Sequence, residues 1–175
     1  MALLSLADPS LTVLIGAAGS GKSTFAASHF APAEILSSDA FRTAIAGDPT
    51  DQSVTGAAFT ALHAALERRL RAGRLTVVDA TNLMPSARRT LVGRARAAGI
   101  PAVAVVLDLP PDVVLSRNAA RLDRVVPEDV VRRHLTQVRR SVDDGALDLD
   151  GFMQVVILRD PREVETIQVH REAEG

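Results

Sequence analysis

Residues 11–30 read Leu-Thr-Val-Leu-Ile-Gly-Ala-Ala-Gly-Ser-Gly-Lys-Ser-Thr-Phe-Ala-Ala-Ser-His-Phe. Leu11–Ile15 is a short apolar run bounded by Ser10 and Gly16, which predicts a buried strand. A helix is predicted over Ser23–Phe30, ending before Pro32. Between them, Gly16-Ala17-Ala18-Gly19-Ser20-Gly21-Lys22-Ser23 has the spacing GxxxxGK[ST]. Its glycines allow a tight turn whose backbone N–H groups point inward at phosphate oxygens. The helix that starts at the loop adds an N-terminal dipole that favours anions. Lys22 has the reach for the β- and γ-phosphates, and the Ser23 hydroxyl can ligate Mg²⁺. A strand before and a helix after distinguish this arrangement from a chance glycine-rich turn. Binding of a nucleoside triphosphate is therefore expected at Gly16, Gly19, Ser20, Gly21, Lys22, Ser23 and Thr24.

The rest of the chain reads as alternating strands and helices. Strands are expected at Glu34–Ser38, Leu75–Val78, Ala102–Leu107 and Phe152–Leu158. Helices are expected at Asp39–Ala46, Ser53–Ala72, Pro85–Ala98, Pro111–Ala120 and Pro127–Val142. Fraying is expected only at the last residues. Five strands separated by helices predict an α/β domain with a mostly parallel five-stranded sheet, and one domain spanning residues 1–175. Ligands in such sheets sit at the carboxyl ends of the strands.

Composition narrows the chemistry. Cysteine is absent, which excludes disulfides, cysteine-ligated zinc, iron–sulfur clusters and a thiol nucleophile, and fits a cytoplasmic setting. No apolar run approaches the roughly 18 residues of a membrane span, and Met1–Ser10 lacks a basic signal-peptide region. With no Trp, no Tyr and 5 Phe, an aromatic platform for stacking bases is not expected. Of 20 basic residues, Lys22 is the one lysine. A compact ammonium on a flexible stem has been kept where arginine serves everywhere else. The net charge of -1 conceals a basic middle, richest over residues 115–142, and an acidic tail. That distribution accommodates a local anion-binding face as readily as solvated helix faces.

Several strand ends carry candidate chemistry. Asp39 and Arg42 are three residues apart and share a helix face. Such a carboxylate can take a proton from an attacking hydroxyl, and the guanidinium fork can hold an acceptor-side phosphate. Equally, Asp39 can be an ordinary N-cap. Asp79 closes the third strand; it either supports a metal's water shell or caps the turn with Thr81 and Asn82. Arg117, Arg121 and Arg124 follow the spacing i, i+4, i+7 and would form one cationic stripe on a continuous helix, suited to a triphosphate. Arg132, Arg133, Arg139 and Arg140 are read as a solvated face balanced by Glu128 and Asp129. His29, His63, His134 and His170 lack ligand-like spacing and are read as structural.

Taken in order, LIGAAGSGKSTFAASHF, EILSSDAFR, DQSVTGAAF, GRLTVVDATN, the RNAARLDR stretch and GFMQVVIL resemble the kinase module of the bacterial polynucleotide kinase–phosphatase RNA-repair enzymes. The similar segments run from about Leu11 to Leu158. The resemblance implies an adenylate-kinase-like P-loop fold with an arginine-bearing lid at about residues 115–142. It implies transfer of the γ-phosphate of ATP or another NTP to the 5′-hydroxyl end of RNA or DNA, with Mg²⁺ or Mn²⁺. By the same carry-over Lys22 and Ser23 serve the triphosphate and metal, and Asp39 is the general base. Arg42 contacts phosphate near the acceptor. Arg117 is the lid arginine on the donor phosphates, with Arg121 and Arg124 in the same lid. In that family the module usually precedes phosphatase and ligase modules, so the resemblance accommodates an excised domain or a free-standing kinase. Ala119, Ala120 and Leu122 make this lid less polar than the resemblance leads one to expect. Two other classes fit the phosphate loop: a small-molecule kinase for a sugar or antibiotic, and a nucleotide-dependent binding module that transfers nothing.

Overall fold

The computed structural model describes residues 3–173. Its centre is a sheet of five parallel strands, β2 (Leu11–Gly16), β3 (Ile35–Ser37), β4 (Thr76–Asp79), β5 (Ala102–Leu107) and β6 (Gln154–Leu158). Their spatial order is β3-β4-β2-β5-β6. Every residue of β2, β4 and β5 is buried, because helices cover both faces. Alternate residues feed two cores. Leu14, Val105 and Leu107 pack with Phe25 and Val131, whereas Val13, Ile15 and Val106 pack with Leu62, Leu66 and Leu91. The crossover helices are α1 (Lys22–His29), α2 (Ser38–Ala46), α3 (Thr55–Arg71), α4 (Pro85–Ala97), α5 (Pro111–Ala119), α6 (Glu128–Asp143) and the short α7 (Ala146–Leu149).

The expected elements all form, with ends shifted by a residue or two. The termini add elements beyond the expected set, and the final residues 174–175, where fraying is expected, lie outside the described residues. Residues after β6 form α8 (Pro161–Thr166) and β7 (Gln168–Ala173), and β7 pairs in parallel with β1 (Leu3–Asp8) as a separate two-stranded sheet. Leu4 and Leu6 of β1 are fully buried beside Ile167, and this burial holds the tail that exposure would leave to fray.

The second departure is in the lid. Helix α5 stops at Ala119, so Arg121 and Arg124 are not on a helical stripe with Arg117. The Asn118 side chain explains the break. Its amide donates to the Val126 carbonyl at 2.7 Å and its oxygen accepts from the Val126 N–H at 3.1 Å. This reciprocal clamp is buried and closes residues 119–125 into a strap between α5 and α6. No helix among the described residues is long and apolar enough to cross a membrane.

Candidate active site

The phosphate loop lies at the carboxyl end of the central strand β2, flanked by the ends of β4 and β5, with β3 beyond β4. Gly19 and Gly21 have φ of +83° and +96°, the left-handed conformation that side chains resist. A Cβ on Gly19 would also lie 2.8 Å from the Asn118 Cβ, so the lid clamp rests directly on the loop. A Cβ on Gly16 would lie 2.6 Å from the Ser20 Oγ. Sterics thus account for all three glycines of the motif.

Lys22 opens α1 and is almost wholly buried, with its Nζ donating to the Ala17 carbonyl at 2.8 Å. Burial lowers its pKa from 10.5 to about 8, against the raising influence of Asp79 and Asp39 and with Arg121 and Arg124 lowering it further. The ammonium therefore sits in a site short of negative charge. A triphosphate supplies that charge.

Next along α1, the Ser23 hydroxyl donates to Asp79 Oδ2 at 2.7 Å. Asp79 is buried at the end of β4, in register with Ser37 of β3. The turn after it is tied to β2: Gly16 N–H donates to the Thr81 carbonyl at 3.1 Å, and the Asn82 amide donates to the Leu14 carbonyl at 2.7 Å. Asp79 and Thr81 line the cleft beside the phosphate loop, while the buried Asn82 side chain ties the turn to β2. Ser23 and Asp79 are hard oxygen donors beside the loop, a pair whose chemistry suits Mg²⁺. No group of three or more acidic, His or Cys side chains that could hold a metal by itself occurs among the described residues.

Asp39 is not the cap of α2. Ser37 takes that role, its side chain accepting from the Ala40 N–H at 3.4 Å. The Asp39 carboxylate is left free to face the cleft. Arg42 Nη1 meets its Oδ1 at 2.6 Å, while the buried Arg42 guanidinium is also supported by Thr55 and lies 5.9 Å from the Phe59 ring centroid. Arg124 Nη1 meets the same Oδ1 at 2.8 Å from the strap.

These groups line one cleft of about 1080 Å³, with Gly19, Gly21, Lys22, Ser23, Thr24, Asp39, Arg42 and Asp79 in its lining. Arg117, Arg121 and Arg124 line the same cleft. Arg117 reaches the loop itself: a Cβ on Gly21 would sit 3.5 Å from its Nη1. Arg121 pairs with Asp123 within the strap at 3.2 Å. The three arginines converge on the cleft although only Arg117 is helical. Gly16 and Ser20 belong to the loop but do not line the cleft, Ser20 being fully buried.

His134 of α6 was expected to be merely structural, yet it lines the cleft, and its Nδ1 accepts from the Ala18 N–H of the loop at 3.5 Å. Burial, then Lys22, Arg133 and Arg124, lower its pKa, which favours the neutral ring that can accept this hydrogen bond. Spacing within the sequence holds no signal of this contact, which joins residues 116 apart. Arg132 and Arg133 pair with Glu128 and Asp129 at 2.7 and 2.9 Å, as expected, whereas Arg139 approaches the buried Asp108 at 3.2 Å.

A five-stranded parallel sheet with this loop and these converging cations defines a P-loop kinase-like domain. The chain belongs to the AAA_33 family, described as an AAA domain, whose model matches residues 11–144. No curated protein is significantly similar to it. Among solved structures it is similar to a chain of the Pnkp1/Rnl/Hen1 RNA repair complex, with 22% identity and a TM-score of 0.67 over 78% of this chain and 46% of that one. It is also similar to a chain of the AvrRxo1-ORF1:-ORF2 structure with ATP, with 16% identity and a TM-score of 0.65 over 82% of this chain and 51% of that one. A sugar kinase from Janibacter sp. HTCC2649 matches with 19% identity and a TM-score of 0.59, over 89% of this chain and 90% of that one. The chain thus spans about half the length of the first two. At these identities the likeness is one of fold.

Proposed function

We propose that the protein is a polynucleotide 5′-hydroxyl kinase that moves the γ-phosphate of ATP or another NTP to the 5′-OH end of RNA or DNA. The observation that carries this reading is the Asp39–Arg42 pair, which faces the same cleft as Lys22 and Ser23 from the first turns of α2, just past the end of β3. A carboxylate that is neither a helix cap nor buried, held by a guanidinium, is the arrangement needed to take a proton from an alcohol and seat a nearby phosphate. The likeness in fold to a chain of an RNA repair complex supports the same acceptor class.

In this reading Lys22 and the loop N–H groups hold the donor triphosphate, and Arg117 balances charge that develops on the transferring group. Ser23 and Asp79 would hold Mg²⁺, which supplies charge neutralisation on the phosphates when bound. Asp39 accepts the hydroxyl proton as the oxygen attacks phosphorus in line with the departing nucleoside diphosphate. Arg42 orients the acceptor. Such chemistry depends on positioning and electrostatics rather than on a covalent intermediate. If the protein works in repair, phosphatase and ligase activities are its natural partners.

A second reading has one observation in its favour. The Janibacter sugar kinase matches this chain over nearly the full length of both, which suits a small-molecule acceptor. Incubation with Mg²⁺, γ-labelled ATP and a panel of acceptors separates the two. Label on a 5′-hydroxyl oligonucleotide but not on its 5′-phosphorylated twin supports the polynucleotide reading. Label on hexoses alone overturns it. A polynucleotide acceptor should also bind with only a shallow salt dependence, because few phosphate contacts are available in a chain of net charge -1.

A further inference from the structure

We infer that Arg124 is a positioning residue for the Asp39 carboxylate, and that the strap carrying it couples the acceptor base to the donor site. The inference rests on the phosphotransfer reading above. Arg124 and Arg42 both follow Asp39 in the chain, by 85 and 3 residues, and both meet its Oδ1, at 2.8 and 2.6 Å. Two guanidinium groups on one oxygen fix the rotation of the carboxylate and leave Oδ2 as the oxygen that takes the proton.

The strap is anchored at the donor site. Asn118 clamps its far end through Val126 and is packed against Gly19 so closely that even a methyl group there would collide with it. The physical chain therefore runs from the phosphate loop through Asn118 and the strap to Arg124, and from there to Asp39. A shift of the loop or of Arg117 and Arg121 on triphosphate binding is transmitted to the carboxylate through bonded and packed atoms. The contact also has an electrostatic rationale. Lys22, Arg117 and Arg121 already line the cleft, and a further unpaired cation would add repulsion that Asp39 removes.

This role differs from that of a triphosphate ligand, and measurement separates them. The Arg124→Ala variant should bind MgATP within about twofold of wild type by calorimetry, while the kcat for transfer to a 5′-hydroxyl oligonucleotide falls about 10- to 100-fold. The Arg124→Lys variant should recover part of the loss, since it keeps the charge but not the planar fork. In an Asp39→Ala background, removing Arg124 should cost nothing further, because its effect passes through the missing carboxylate. Additive losses in that cycle, or MgATP binding weakened tenfold or more by Arg124→Ala, overturn the inference. A wild-type protein that labels no acceptor at all overturns the phosphotransfer reading and the positioning role with it. The same four proteins compared by urea unfolding then show whether the Arg124–Asp39 pair exists in the free protein, with additive losses refuting the pair itself.

Discussion

Replacing Lys22 by methionine should make the empty protein more stable at neutral pH. The ammonium is buried in the phosphate loop, and its pKa falls from 10.5 to about 8. That drop corresponds to about 3 kcal/mol of native-state destabilisation while the amine is charged in both states. Against it stands the hydrogen bond to the Ala17 carbonyl, worth about 1–2 kcal/mol. The net gain for Lys22→Met near pH 7 is about 1–2 kcal/mol, or about 3–6 °C in Tm for a chain of this size. The sign reverses with alkali. Between pH 8 and 10.5 the unfolded chain binds a proton that the native protein has released, so wild-type stability rises with pH through that window. Above it both states are neutral, the cost has gone, and the variant becomes the less stable of the two by the lost hydrogen bond. The chain suits this test unusually well. It contains no Cys and no Tyr, and Lys22 is its one lysine, so no other side chain has an ordinary pKa between about 8.5 and 11. Urea unfolding followed by far-ultraviolet circular dichroism from pH 7 to 11 reads both the offset and its reversal. MgATP should raise the wild-type midpoint and leave the variant nearly unchanged. A wild-type stability that is flat or falling from pH 8 to 10.5, or a variant destabilised by more than about 1 kcal/mol at pH 7, refutes the reasoning.

Two further changes probe the framework of the site. Gly19→Ala must place a methyl group 2.8 Å from Asn118 at a φ of +83°, and should cost about 1–3 kcal/mol in unfolding experiments together with at least tenfold in MgATP affinity by calorimetry. Asp150→Ala strands the fully buried Arg88, which Asp150 meets at 2.6 Å and which supports the turn after Asp79 through the Asn82 and Leu83 carbonyls. A loss of about 3–5 kcal/mol is expected from urea unfolding, and the paired change Arg88→Met with Asp150→Leu should recover much of it.

The sheet was legible because its strands are covered on both faces and so appear as nearly uninterrupted apolar runs, such as Ala102–Leu107. The phosphate loop was legible because its chemistry is local: three glycines, a lysine and a hydroxyl within eight residues. Asp39 was ambiguous, since an acid at a helix start serves equally as a cap; only the structure shows Ser37 in that role. The lid was misread as a helical stripe because the i, i+4, i+7 spacing of Arg117, Arg121 and Arg124 carries no trace of the Asn118–Val126 clamp that ends the helix. The pairings of Arg124 with Asp39, His134 with Ala18 and β1 with β7 join residues far apart in the chain. Local pattern holds no information about such contacts, which depend on how the finished layers stack.

In the proposed reaction Asp39 serves proton removal and not donor binding, and one paired measurement separates the two roles. Wild type and Asp39→Asn are each given MgATP, first in a calorimeter and then with a labelled γ-phosphate and a 5′-hydroxyl oligonucleotide. MgATP affinities within a few-fold of each other are expected, with label on the oligonucleotide from wild type and a loss of about 10²-fold or more from Asp39→Asn. Undiminished transfer by Asp39→Asn, or loss of MgATP binding in step with transfer, contradicts the proton-removal role.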